Sequence, residues 1–421
     1  MRPLQLFGGA AGAAALAMLW IGPAEAQQGD KSWMRALGPS YTGSSTADVS
    51  ERELIREWEL NPAKGAPTLG SANLGPTKAA IARYVAIVAK GGWRKLPDVK
   101  LELGTTHPAV VLLRQRLRLS GELQDDGSAS EHFGYDLDQA VRRYQTANGL
   151  APTGTVDKPT VTAMNVPAAS RLKQLRTNLA RLTGLARTPA KYVAVNIPAA
   201  QVEAVENGAV VSRHPGVVGK SERATPILKS SIQALNFNAV WHLPPTVVSE
   251  DLIPTGQKMA RRGESVLVKF KIDAYSGGRK LEPKKINWNG PEVRSLVYRQ
   301  QPGPENPLGF VKINFPNAHS VYMHDTPKPS LFGRNFRAAS SGCVRIAGIE
   351  SLVTWIVSDQ GWKAEDVHRM KTTGERRDVK LQRPIPLYFA YITAWATPGG
   401  AVQFRRDIYL KDGIGKQAGA Y

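Results

Sequence analysis

At Lys191 the hydrophobic pattern of the chain changes period, and that change divides what it can fold into. Before it, apolar residues recur at helical spacing. After it, residues 192–197, 201–205 and 209–213 alternate with a period of two, and Asn207-Gly208 is a hairpin signal between the last two runs. Leu235, Phe237, Ala239 and Trp241 continue the alternation until Pro244-Pro245 ends it. The expected fold class is multidomain α+β, with a helical first half and a mainly antiparallel β domain after it. At 421 residues the chain exceeds one ordinary domain, and 42% hydrophobic residues suffice for a real core.

Residues 1–26 read as a signal peptide: Arg2, an apolar stretch to Ile21, a Gly22-Pro23 break and a small-x-small site at Ala24-Glu25-Ala26. The chain is therefore expected to be exported. A formal charge of +20 ordinarily points to nucleic acid, but there is no nucleic-acid motif here. An anionic envelope polymer or membrane surface is the more natural partner for an exported chain.

In the helical half, residues 27–47 are a Gly/Ser/Thr-rich lead-in and Ser50-x-x-Glu53 is a capping box. Thr77 is expected to open a helix carrying Ile81, Tyr84, Val85 and Val88, stopped by Gly91-Gly92. Residues 108–165 form a compact unit with stripes at Val110, Leu113 and Leu117 and at Leu137, Val141 and Tyr144. Residues 171–187 make a basic amphipathic helix with Leu172, Leu175, Leu179 and Leu182 on one side. It is expected to connect and pack rather than lie on a membrane.

The chemistry gathers in residues 321–345. Cys343 is the only cysteine, with His324 nineteen positions upstream and Tyr322 two residues before the histidine. On a strand that spacing places Tyr322 and His324 on one face. A single cysteine forms no internal disulfide, and a free thiol in an oxidising compartment is a liability unless it is needed as a thiol. Ser340, Ser341 and Gly342 are small enough to let a substrate and backbone N–H groups approach. A thiol acts as its thiolate, and a nearby imidazole is the common way to lower its pKa. The pattern is that of a cysteine acyl-transfer site.

His324-Asp-Thr-Pro327, Leu331-Phe332, Arg337 and Ser340-Ser-Gly-Cys-Val-Arg345 together resemble the active-site signature of L,D-transpeptidases with a YkuD-type catalytic domain. Most members carry a histidine directly before the Gly-Cys, where this chain has Ser341. The Ser-Ser-Gly-Cys form, residues 299–309 and the tail with Thr393-Ala-Trp395 resemble the larger YcbB-like periplasmic subgroup. Leu113-Arg-Gln-Arg-Leu117, residues 140–145 and Gly149-Leu150 resemble the three-helix peptidoglycan-binding module of wall enzymes.

The resemblance implies a domain order: an N-terminal helical scaffold at 27–104, a peptidoglycan-binding-like module at 105–167 and a connecting helix at 168–190. A catalytic domain at 191–381 follows, with a capping insertion at 249–299, then a C-terminal hairpin and tail at 382–421. It implies Cys343 as nucleophile and His324 as base, with Tyr322 and backbone N–H groups near Gly342 and Cys343 serving the oxyanion. The Asp325 backbone would orient the imidazole, and Ser341, Arg345 and Arg337 would meet substrate. The partners implied are peptidoglycan stem peptides, with diaminopimelate, water or envelope proteins as acceptors and with no nucleic acid. No cofactor or metal is expected. Two alternatives stay open: an L,D-carboxypeptidase or protein-anchoring enzyme, and a wall-binding protein with a dead catalytic domain. A papain-like protease lacks its Cys-Trp motif, His368 being the only later histidine.

Overall fold

The structure, a computed structural model, describes residues 66–414. The expected signal peptide, the lead-in and the capping-box helix lie outside them.

Strands β1 (Lys191–Asn196), β2 (Gln201–Glu206) and β3 (Ala209–Gly219) form consecutive antiparallel pairs, as their alternation predicts. Asn207 and Gly208 have φ of 51° and 78°, the two positive values that a tight hairpin turn needs. β4 (Leu228–Phe237) follows. A smaller sheet is made by β5 (Trp241–His242), β6 (Ile272–Ser276), β7 (Arg279–Lys280) and β8 (Val297–Gln300). The chain then returns through β9 (Val311–Asn314), β10 (Met323–His324), β11 (Ala338–Ser340), β12 (Val344–Ile346) and β13 (Arg377–Ala390). It ends in the hairpin β14 (Ala394–Ala396) and β15 (Val402–Phe404).

The main sheet runs β11-β3-β12-β10-β9-β4-β13-β1-β2, and β3 also pairs with β2. The first part of β3 faces β2, and Gly216 and Val217 further along it face β12, so the pairing travels round and closes on itself. Most pairs are antiparallel; β1–β13, β10–β12 and β11–β3 are parallel. Along β1, Val193 and Val195 enter one apolar core with Phe237, Ile313, Met323 and Val344, while Tyr192 and Ala194 enter another with Leu182, Val205 and Trp395. The helix Ile349–Val357 adds Ile349, Leu352, Val353 and Ile356 to the first core, as their spacing predicts.

Two expectations are corrected. The alternation through Ala239 and Trp241 is not one strand. Asn238 takes φ 47°, its side chain donates to the carbonyls of Met370 and Glu375 at 2.8 Å each, and the chain leaves for the smaller sheet. Nor does the C-terminal hairpin begin at residue 382. Pro386 to Ala390 belong to β13, which lies between β4 and β1 and crosses the expected boundary at 381/382. Prolines ordinarily argue against such a strand; here the β4 pairing shifts register between Lys380 and Ile385, around Pro384.

In the helical half, the helix Leu74–Ala89 begins three residues before Thr77, with Pro76 tolerated in its first turn. The Thr77 hydroxyl accepts the Ala396 N–H at 3.0 Å, which ties this helix to the closing hairpin. Helices Ala109–Ser120, Tyr135–Ala147 and Lys158–Met164 enclose Val110, Leu113, Leu137, Val141 and Tyr144, so both expected stripes face one core. The connecting helix Ala168–Gly184 turns its apolar side inward. Its buried Gln174 and Asn178 bond to Thr393, so it packs as expected.

The insertion folds around its own core of Trp241, Leu252, Phe270, Trp288, Tyr298 and Leu308. It is wider than 249–299, because β5 and Leu308 belong to it. Among the described residues no helix is long and apolar enough to cross a membrane.

Candidate active site

Parallel pairing assembles the site. β10 and β12 align Met323 with Val344 and His324 with Arg345, and the Val344 N–H donates to the Tyr322 carbonyl at 3.0 Å. Side chains two apart share a face, so Tyr322, His324, Cys343 and Arg345 form a two-by-two patch on adjacent strands. All four line one cavity of about 220 Å³, together with Ser340 and Ser341. Trp241, Pro244, Thr246 and Val247 line another wall, and Trp241 and Val247 also belong to the insertion's core.

Cys343 occupies the turn between β11 and β12. Gly342 takes φ 111°, a conformation that favours glycine, and its carbonyl accepts the Thr225 hydroxyl at 2.8 Å. Its N–H donates to Ser340 Oγ at 3.2 Å, and that hydroxyl donates to the Cys343 carbonyl at 2.6 Å. The Gly342 N–H expected to serve an oxyanion is therefore already engaged, and the glycine's visible role is to shape the turn. The Ser341 hydroxyl accepts from Arg223 at 2.8 Å. The same guanidinium reaches Asp251 at 3.3 Å and also pairs with Glu250, both on the insertion.

The His324 Nδ1 lies 2.6 Å from the Asp325 carbonyl, and the Pro307 carbonyl also approaches the ring. Burial first, then the Arg345 charge, lowers the His324 pKa to about 3, although both carbonyls oppose the shift. The imidazole is therefore neutral. The short contact to the Asp325 carbonyl favours the proton on Nδ1. The Asp325 carboxylate turns away from the ring, and its Oδ2 accepts the Phe310 N–H at 3.0 Å. Gly309, with φ 61°, sits against that carboxylate, and a Cβ there would collide with it.

The Tyr322 hydroxyl accepts the Trp241 indole N–H at 2.8 Å and lines the same cavity as Cys343. Burial holds the phenol protonated well above its usual range. The Lys312 ammonium lies 4.4 Å from the Tyr322 ring centroid. Burial pushes the Cys343 thiol up, opposed by the polar groups of Tyr322 and by the charges of Lys312 and Arg345. With His324 neutral, no imidazolium stands beside the thiol at rest. Cys343 and His324 share no hydrogen bond in this conformation; catalytic contacts commonly tighten only around substrate.

Arg345 is buried beside His324, as its cavity position requires. Arg337 is not brought to the cleft. It donates to the carbonyls of Gly216, Arg334, Ala199 and Ala200 at 2.9–3.3 Å, and burial lowers its pKa to about 10. His368 lies outside the cleft, exposed and paired with Glu350. Sequence reasoning missed Trp241, Arg223, Thr225, Gly309 and Lys312. Of these, Thr225, before Pro226, and Gly309, at the end of residues 299–309, lie in segments that carry the resemblance.

In this multidomain α+β fold one cleft holds a thiol, an imidazole, a phenol and a guanidinium on one face. Residues 190–374 match the family model described as "L,D-transpeptidase catalytic domain" (YkuD), and residues 106–164 match "Putative peptidoglycan binding domain". Residues 190–374 are therefore a YkuD-type L,D-transpeptidase catalytic domain, and residues 106–164 a peptidoglycan-binding domain. A curated relative from Haemophilus influenzae, named "Putative L,D-transpeptidase", is 28% identical over 218 residues. That match spans 52% of this chain and 44% of the relative. The L,D-transpeptidase from Xylanimonas cellulosilytica is 16% identical over 70% of this chain and 98% of its own, with a TM-score of 0.23. One from Stackebrandtia nassauensis is 14% identical over 70% and 95%, with a TM-score of 0.26. Scores that low carry no argument, and the domain assignments rest on the sequence matches.

Proposed function

We propose that this protein is a cysteine-dependent L,D-transpeptidase of the YcbB-like kind, acting on peptidoglycan stem tetrapeptides in the periplasm after export. The observation that carries the reading is the shared face of Tyr322, His324, Cys343 and Arg345 in one cleft.

Cys343 Sγ attacks the carbonyl of an L-centred residue followed by D-alanine, and His324 Nε2 takes the thiol proton as the C–S bond forms. The resting pair is neutral thiol and neutral imidazole, so the proton moves during attack rather than before it. The developing oxyanion is held by the Tyr322 hydroxyl and the Cys343 N–H. Collapse breaks the C–N bond, the imidazolium returns its proton to the departing amine, and D-alanine leaves. The thioester then acylates the side-chain amine of diaminopimelate on a neighbouring stem, giving a 3→3 cross-link and regenerating the thiol. Arg345, a guanidinium lining the cavity, is suited to a substrate carboxylate. The peptidoglycan-binding domain holds the enzyme to the wall. Incubation with purified muropeptides and mass spectrometry tests the reading: wild type should release D-alanine and form cross-linked dimers, and Cys343→Ala should do neither.

A further inference from the structure

Trp241 is where the insertion touches the reacting groups. It lies on β5, paired with Gln300 of β8, and packs in the insertion's own core. Its indole nitrogen is a donor only, so the 2.8 Å contact makes the Tyr322 oxygen the acceptor. One lone pair of that oxygen is thereby occupied, and the hydroxyl proton must point elsewhere. The β10–β12 register, continued one residue back, sets Cys343 opposite Tyr322, and both line one cavity.

We propose that Trp241 is a positioning residue: its N–H fixes the Tyr322 hydroxyl so that the phenolic proton faces the Cys343 sulfur, making the insertion part of thiol activation. Buried and protonated, the phenol keeps that proton to donate. Lys312 over the ring face restrains the same phenol from another side. Negative charge that develops on the Cys343 sulfur as its proton leaves then meets an aimed donor, and any rearrangement that withdraws β5 withdraws the aim. This deepens the reading of Cys343 as nucleophile and rests on it for its catalytic meaning, but the quantity it predicts belongs to the thiol itself.

The test is the pH dependence of Cys343 alkylation by iodoacetamide, followed by mass spectrometry on the full chain. Trp241→Phe should slow alkylation near neutral pH on the order of tenfold and move its inflection upward. Tyr322→Phe should do at least as much, and the double variant should be no slower than Tyr322→Phe alone. Trp288→Phe, which loosens the same insertion core without touching Tyr322, should leave the profile in place. Replacing Trp241 by 3-benzothienylalanine keeps the ring shape and removes the N–H, so it reads the hydrogen bond even if the phenylalanine variant folds poorly. A Trp241→Phe or benzothienyl profile matching wild type, effects that multiply in the double variant, or an equal effect of Trp288→Phe would overturn the proposal. Alkylation needs no wall substrate, so failure here is separable from failure of the transpeptidase reading.

Discussion

His324 takes its orientation from the main chain of Asp325, at 2.6 Å, while the carboxylate of that same residue accepts the Phe310 N–H at 3.0 Å. Asp325 therefore orients the base through its peptide and holds the preceding loop through its side chain. Asp325→Asn, which still offers an oxygen to Phe310, should keep kcat on a stem tetrapeptide within about threefold of wild type. A conventional triad carboxylate would instead cost roughly ten-thousandfold when changed this way. Gly309→Ala, which drives a Cβ into that carboxylate at positive φ, should lower stability by about 1–3 kcal/mol in denaturant unfolding.

The thiol and imidazole are both neutral at rest, and pH distinguishes this from an ion pair. With the thiol pushed up, the thiolate fraction at neutral pH is small, so alkylation should rise about tenfold per pH unit until the inflection. A preformed thiolate–imidazolium pair would instead give a plateau from mildly acidic pH upward.

Stability should follow the buried histidines. His324 and His214 have folded pKa values lowered to about 3 and about 4, both mainly by burial. Below about pH 6.5 the unfolded chain binds protons that the folded chain refuses. Their contribution is thus complete above that pH and is lost as pH falls toward the folded values, by up to about 1.4 kcal/mol per pH unit for each histidine. Thermal unfolding between pH 7 and 4 should show this fall, and it should be shallower in a His324→Gln variant.

Arg223 joins the cysteine turn to the insertion, donating to Ser341 while pairing with Asp251 and Glu250. Arg223→Ala should leave the main sheet intact but free the insertion. Limited proteolysis should then cut within residues 249–299 faster than in wild type, and kcat/KM should fall on the order of tenfold. Arg337→Ala should behave oppositely. Its donors serve four carbonyls far from the thiol, so it should lower the melting temperature while KM of the folded fraction stays unchanged.

What the sequence disclosed and what it hid follow from locality. β1 to β3, the helix after Cys343 and the three-helix unit are written in spacing, and Tyr322 with His324 in a two-residue repeat. The parallel register that sets Tyr322 beside Cys343 joins segments about twenty residues apart, which no local pattern encodes. Trp241 carried the period of β4 and was read as its continuation, because nothing local to Asn238 shows that its amide would be captured by Met370 and Glu375. β13 was obscured by Pro384 and Pro386, residues that normally mark the end of a strand. Arg337 looked like a substrate ligand because it sits inside the motif, whereas its partners lie more than a hundred residues earlier on β3 and the β1–β2 turn, apart from the nearby Arg334.

The most direct test of the account is the intact mass of the protein after brief exposure to a stem tetrapeptide in the absence of acceptor. An adduct equal to the peptide minus D-alanine, mapped to Cys343 and absent in Cys343→Ala, is the predicted result. D-alanine release that persists in Cys343→Ala, or an adduct on any other residue, would contradict it.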